Sequence, residues 1–169
     1  VMDRRWHSDE GRLDDPPIHQ LIVDLKFPIV YTTNYDRWLE IAHARRGVPH
    51  RKIADVRDIP GALREETQII KFHGDFDHDE SLVLTEAHFF DRMDFESPLD
   101  IKLRADSLGK AILFIGYALA DMNIRLLMYR LQRMWERSVG ASERPDSYIF
   151  VPTPNRIQET VWLLYTCPS

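Results

Sequence analysis

Asparagine, aspartate and histidine, side chains able to orient a water, move a proton or offset a developing charge, gather in three short clusters of this sequence. The first is Thr33-Asn34-Tyr35-Asp36 and the second His73-Gly74-Asp75. The third is Gly116-Tyr117-Ala118-Leu119-Ala120-Asp121, with Asn123 just beyond it. A neutral amide such as Asn34 orients water or a hydroxyl without itself titrating. Asp36 carries the negative charge that favours a positive charge building nearby. Histidine titrates near neutrality, so His73 can take or give a proton under ordinary conditions. Each residue also has a simpler reading. Asn34 and Asp36 could merely cap the helix that follows them. A lone histidine before a glycine is commonly a hydrogen-bonded core residue, and Asp121 and Asn123 suit helix caps under either reading.

Each cluster follows an apolar run. Pro28-Ile29-Val30-Tyr31-Thr32 precedes the first and Gln68-Ile69-Ile70-Lys71-Phe72 the second, while Ala111-Ile112-Leu113-Phe114-Ile115, the clearest strand, precedes the third. Compact runs rich in β-branched residues mark buried strands. Helical spacing appears between them, at residues 18–26 through Ile18, Leu21, Ile22 and Leu25, and at residues 34–46, which Gly47 and Pro49 stop. A short strand at residues 81–85 feeds a helix over 86–94, and Ser97 caps a helix that Gly109 ends. After Asp121, a long helix has Ile124, Leu127, Met128, Leu131, Met134 and Trp135 on one face, the side expected to be buried. Arg125, Arg130, Arg133 and Arg137 lie on its polar side, a solvated face or a contact for a partner. A strand at 147–151 and a helix at 157–164 complete the order.

Strands alternating with helices predict an α/β fold of the doubly wound, Rossmann-like type, with a mostly parallel sheet and one domain over residues 1–169. In such sheets ligands bind outside the carboxyl ends of the strands, at a topological switch point. The three clusters are therefore expected to converge on one crevice.

The chain has 169 residues, 44% hydrophobic and 29% charged, with a net charge of −5. That composition fits a folded domain, not a disordered one. The acidic balance argues against direct nucleic-acid binding by this domain. A single cysteine, Cys167, excludes an intramolecular disulfide framework and a cysteine-based zinc site, and a reducing cytoplasm is the expected location. No stretch has the ~20 apolar residues a membrane crossing requires. Residues 73–80 mix imidazoles with carboxylates, but without the register of a calcium loop, so no metal is expected there.

Taken together, the clusters resemble the sirtuin-like domains of bacterial antiphage defence proteins. Thr33-Asn34-Tyr35-Asp36 is similar to the Thr-x-Asn-x-Asp segment of sirtuins, Phe72-His73-Gly74 to their His-Gly, and Gly116-Tyr117-Ala118-Leu119-Ala120-Asp121-Met122-Asn123 to a Gly-Tyr-Ser-Leu-x-Asp-x-Asn segment of the defence branch. The resemblance runs from about Ile18 to Val151. It implies NAD as substrate, cleaved to nicotinamide and ADP-ribose without a metal. By the same resemblance Asn34, His73 and Asp36 are the catalytic candidates, and Thr32, Thr33, Tyr35, Gly74, Gly116, Tyr117, Ala118, Asp121 and Asn123 the NAD-binding ones. It implies partners as well: a homo-oligomer, or a sensor domain or subunit.

Three departures shape these expectations. The family's first strand ends in a Gly-Ala-Gly type turn that holds the pyrophosphate; none occurs here, and we expect that strand upstream of Val1. Ala118 stands where the family usually has serine. The cysteines of the zinc module of deacetylating sirtuins are absent, which favours NAD hydrolysis over protein deacylation. A nucleotide-binding or assembly module without turnover is the alternative of a different class.

Overall fold

The computed structural model of the chain describes residues 17–62, 65–77, 81–83, 85–91, 96–116, 122–137, 145–150 and 153. The chain divides into two compact units, Val1–Leu84 and Thr85–Ser169. The first contains helix α1 (Pro17–Asp24), strand β1 (Ile29–Thr32), helix α2 (Trp38–Arg45), strand β2 (His50–Ile53), a 3-10 helix (Val56–Gly61) and strand β3 (Thr67–Lys71). The second contains helix α3 (Glu86–Asp91), helix α4 (Pro98–Gly109), strand β4 (Ile112–Ile115), helix α5 (Met122–Glu136) and strand β5 (Ser147–Phe150).

Every strand pair is parallel, as the strand–helix alternation predicts for an α/β fold. In the first unit the order is β1-β3-β2, so β3 is central and flanked on both sides. Its sequence shows why: Ile69 and Ile70 are fully buried, and a central parallel strand needs apolar residues on both faces. Ile53 of β2 lies in register with Ile70, while Val23, Leu39 and Ala42 bring α1 and α2 into the same core. In the second unit β4 pairs with β5, Ile112 opposite Ser147 through Ile115 opposite Phe150.

The elements differ from the sequence reading at several points, each with a local cause. Strand β2 was not anticipated, because His50-Arg51-Lys52-Ile53 presents only one apolar residue; main-chain pairing with β3 holds it. The following 3-10 helix is fastened by a capping box between Asp55 and Asp58. Helix α2 begins at Trp38, not at Asn34, because the Asp36 carboxylate accepts the Trp38 N–H at 3.2 Å and sets a turn there. Residues 81–83 are not a strand; they close a loop described below. Ser97 does cap α4, its hydroxyl accepting the Asp100 N–H at 3.2 Å. On α5, Met128 and Leu131 are buried as expected and Trp135 half-buried, but Met134 is 39% exposed. The helix expected over 157–164 and the cap at Asp121 lie outside the described residues, as do the side chains of Ile124 and Leu127.

A buried histidine gives this core a pH dependence. His43 on α2 is packed away from solvent, its Nδ1 2.8 Å from the Leu39 carbonyl and its ring 5.4 Å from that of His50. Burial lowers its pKa below 6.5, outweighing the upward pull of the Leu39 carbonyl and Glu40, and the nearby His50 adds to the lowering. Burial also lowers the pKa of His19, against the charge of Asp36. The unfolded chain binds these protons more readily than the fold. Their contribution to stability is therefore complete above about 6.5 and is lost as pH falls through the folded values. The melting temperature should drop by a few degrees from pH 7 to pH 5. His43→Gln should fall less steeply, with His19 supplying the remaining slope; an identical slope would show that His43 is not its source.

Candidate active site at the ends of two parallel strands

Register places the first two clusters side by side. Thr32 lies opposite Lys71 at the ends of β1 and β3, and the Phe72 N–H extends the ladder by one bond to the Thr32 carbonyl at 2.8 Å. Residues 33–37 and 72–77 thus leave the sheet at the same edge, on adjacent strands.

The first segment is held in part by its own polar groups. Thr32 Oγ1 accepts the Asn34 N–H at 3.1 Å. Thr33 is half-buried and the Asn34 side chain is exposed. The Tyr35 hydroxyl donates to the Val83 carbonyl at 2.6 Å, and its ring lies 5.7 Å from Phe76. Asp36 spends one carboxylate oxygen on the Trp38 N–H, an Asx turn just ahead of α2, whose N-cap is Arg37 and has no side-chain cap bond. His19 of α1 lies within electrostatic reach of the same carboxylate.

The second segment turns sharply after β3. The Gly74 N–H returns to the Lys71 carbonyl at 3.2 Å, and Gly74 has φ +100°, a left-handed conformation that favours glycine. His73 is 5% exposed, its ring centroid 5.7 Å from that of Phe72. Residues 81–83 fold back over this turn. The Val83 N–H donates to the His73 carbonyl at 2.9 Å, and Ser81 Oγ accepts the Asp75 N–H at 3.0 Å. Those bonds consume the polar groups that an ordinary strand would have paired with a neighbour.

Two lysines that were not singled out from the sequence shape the site. Lys52 of β2 reaches across to Asp75 at 3.2 Å and Asp77 at 2.5 Å, with Arg37 3.8 Å from Asp77. Asp75 is fully buried, and one of its oxygens also accepts the Asp77 N–H at 2.7 Å. For Lys52, burial pulls the pKa down, but the hydrogen bonds and charges of Asp77 and Asp75 win and raise it. The hydrogen bond from Lys52 is the main cause that holds Asp77 below the usual carboxylate range. The acidic turn is thus neutralised by the protein's own cation, and among the described residues no group of three or more histidine, cysteine or acidic side chains is arranged to hold a metal ion.

The second lysine is Lys71, the last residue of β3, which is 1% exposed. Its ammonium donates to the main-chain carbonyl of Asp36 and lies 3.2 Å from the carboxylate of Glu40. The sequence held one signal for it: a lysine inside an otherwise apolar strand, immediately before Phe72-His73.

The third cluster belongs to the second unit. Gly116 follows β4 with φ +68°, and Asn123 falls in the first turn of α5. Tyr117, Ala118 and Asp121 lie outside the described residues. Among the described residues no helix is long and apolar enough to cross a membrane.

The chain is similar to known proteins over most of its length. A family model described as a SIR2-like domain matches residues 28–165. The chain is 32% identical over 164 residues to "Defense-associated sirtuin 2" of Bacillus subtilis, covering 94% of this chain and 16% of that protein. It is 28% identical over 124 residues to "NAD(+) hydrolase ThsA" of Bacillus cereus (strain MSX-D12), covering 70% of this chain and 25% of the relative. To "NAD(+) hydrolase ThsA" of Cytobacillus dafuensis it is 26% identical over 152 residues, covering 89% and 29%. The chain therefore spans 16–29% of the length of these relatives.

Gly74 offers a direct test of the turn that carries His73. A Cβ there would lie 2.2 Å from the Ser81 carbonyl oxygen, a main-chain atom that cannot swing aside. Gly74→Ala combines left-handed strain with overpacking and should destabilise the fold by about 2–4 kcal/mol in denaturant titration. A loss below about 0.5 kcal/mol would mean that the turn relaxes at little cost.

Proposed function

The chain belongs to the SIR2-like domain family, and from that premise we propose that it is the NAD-cleaving domain of an antiphage defence protein. The reaction is hydrolysis of NAD to nicotinamide and ADP-ribose. The names of its relatives support this reading, and one observation carries it. The Thr32–Lys71 register brings the segments that carry Asn34, Asp36 and His73 out of adjacent strands at the same carboxyl edge of a parallel sheet, and such folds bind nucleotides at that edge.

Cleavage breaks the bond between the ribose C1′ and the nicotinamide nitrogen. Nicotinamide departs with the bonding electron pair, and water supplies the new oxygen at C1′, releasing one proton. Positive charge builds on the ribose in between, as in other glycoside cleavages. In this reading His73 takes the proton from water or from a ribose hydroxyl. Its burial beside Phe72 keeps bulk solvent from competing for that proton. The exposed amide of Asn34 orients the water or the ribose, and the carboxylate of Asp36 favours the developing charge. Thr32, Thr33, Tyr35 and Gly74 shape the same edge. By the family resemblance, Gly116, Tyr117, Ala118, Asp121 and Asn123 are further NAD-binding candidates in this reading. The rest of a longer protein, a sensor subunit or further copies of the chain would control it, in a reducing cytoplasm.

Binding of NAD or a related nucleotide without turnover is the second reading. Ala118 favours it, since a hydroxyl common in the family is missing at that position.

Nicotinamide release by the full-length protein separates the two. His73→Ala and Asn34→Ala should each lower turnover by about 10²–10⁴-fold while circular dichroism stays that of the wild type. Unchanged turnover in both variants would overturn the catalytic assignment. A wild-type protein that binds NAD without releasing nicotinamide would establish the second reading.

A further inference from the structure

We propose that Lys71 is a positioning residue of the site: its ammonium, neutralised by Glu40, pins the main chain at Asp36 and so fixes the Asn34–Asp36 turn relative to His73. The inference rests on the NAD-hydrolysis reading for its effect on turnover, but not for its effect on the turn.

Three segments meet at this one cation. Lys71 ends β3, two residues before His73; Asp36 offers a carbonyl from the segment after β1; and Glu40 comes from the first turn of α2. The ammonium is 1% exposed and the Glu40 side chain 12%. Neither Glu40 oxygen makes a hydrogen bond among the described residues, so Lys71 is what offsets its charge.

Stability alone is a poor reason for this arrangement. An apolar pair of similar volume commonly replaces a buried ion pair without loss, because desolvation offsets the attraction. An apolar pair cannot, however, hold a particular carbonyl oxygen. Lys71 does so in a segment also held by the short-range bonds from Thr32 and Asp36 and by the Tyr35 hydroxyl on Val83, none of which takes the Asp36 carbonyl. Glu40 has a second consequence. A lone buried cation would oppose the positive charge that develops during cleavage, and the carboxylate cancels it. Misplacement of a catalytic group by about 1 Å is enough to cost on the order of 10²-fold in rate, so the pin should be visible in turnover.

The decisive variant replaces the whole pair, Lys71→Met with Glu40→Leu, in the full-length protein. It removes the pin while sparing the fold an unpaired buried charge. We expect a melting temperature near that of wild type, kcat for nicotinamide release lower by about 10-fold or more, and KM within about threefold. Hydrogen–deuterium exchange at the amides of residues 34–38 should accelerate by about tenfold, with exchange in β3 unchanged. Wild-type exchange at 34–38 would overturn the proposal, as would a wild-type kcat in a folded variant. If the wild-type protein itself releases no nicotinamide, the hydrolysis reading fails separately and the exchange measurement decides the role of Lys71. Should the double variant not fold, Lys71→Met with Glu40→Gln, an uncharged pair that still lacks the Lys71 donor, is the second measurement. Accelerated exchange at residues 34–38 supports the pin, and wild-type exchange there overturns it.

Discussion

A lysine ammonium with almost no exposed surface lies at the end of the central strand, and much of the surrounding geometry follows from the need to satisfy it. Removing such an ion from water costs on the order of 20 kcal/mol in the idealised limit and several kcal/mol in a relaxed protein. Lys71 can be buried only where an anion and an acceptor are both within reach. Glu40 and the Asp36 carbonyl meet that condition, and they do so only if α2 starts close behind β1 and the intervening turn bends towards β3. The Asx turn of Asp36 on Trp38 makes that bend. The constraint on one charge thus couples the helix start, the turn and the neighbouring histidine loop.

The loop after β3 obeys a different balance. Its outer ion pair, between Lys52 and a half-exposed Asp77, contributes little, since such pairs are typically worth about 0–1 kcal/mol. The inner contacts decide its shape. Asp75 is sealed from solvent and must be met by Lys52 and by the Asp77 N–H, and Gly74 sits where no side chain fits beneath Ser81. Packing and desolvation hold the turn that carries His73, while the surface charges mainly set its electrostatic environment.

Much of this was legible in the residues. Ile29-Val30-Tyr31, Ile69-Ile70 and Ile112 to Ile115 are apolar runs, and all three form strands, although only Ile69-Ile70 is fully buried while β1 is half-buried and Leu113 of β4 exposed. The polar clusters that follow these runs marked the candidate site. What stayed hidden was held by partners distant in sequence. His50 to Ile53 is too polar to announce a strand, and becomes one because β3 lies alongside it. Ser81 to Val83 has strand-like residue types, yet its hydrogen bonds go to Asp75, His73 and Tyr35. Lys71 reads as surface in any alternating pattern, and only the fold reveals the carboxylate waiting thirty-one positions earlier in the chain, at Glu40. Chemistry at the level of NAD came from the order of three motifs and from kinship with SIR2-like proteins; the residues alone supported proton transfer and charge stabilisation by Asn34, Asp36 and His73.

The strand order β1-β3-β2 also governs when the site can exist. Among the described residues β1 and β2 each pair only with β3, and β3 is the last of the three to be synthesised. Until Thr67 to Lys71 has emerged, β1 and β2 have no ladder to join and Asn34 has no histidine loop beside it. Assembly is a non-local event of the kind that folds slowly. A nascent or nicked chain that ends before β3 lacks the strand with which both β1 and β2 pair, and with it the register that brings the segment of Asn34 alongside the histidine loop.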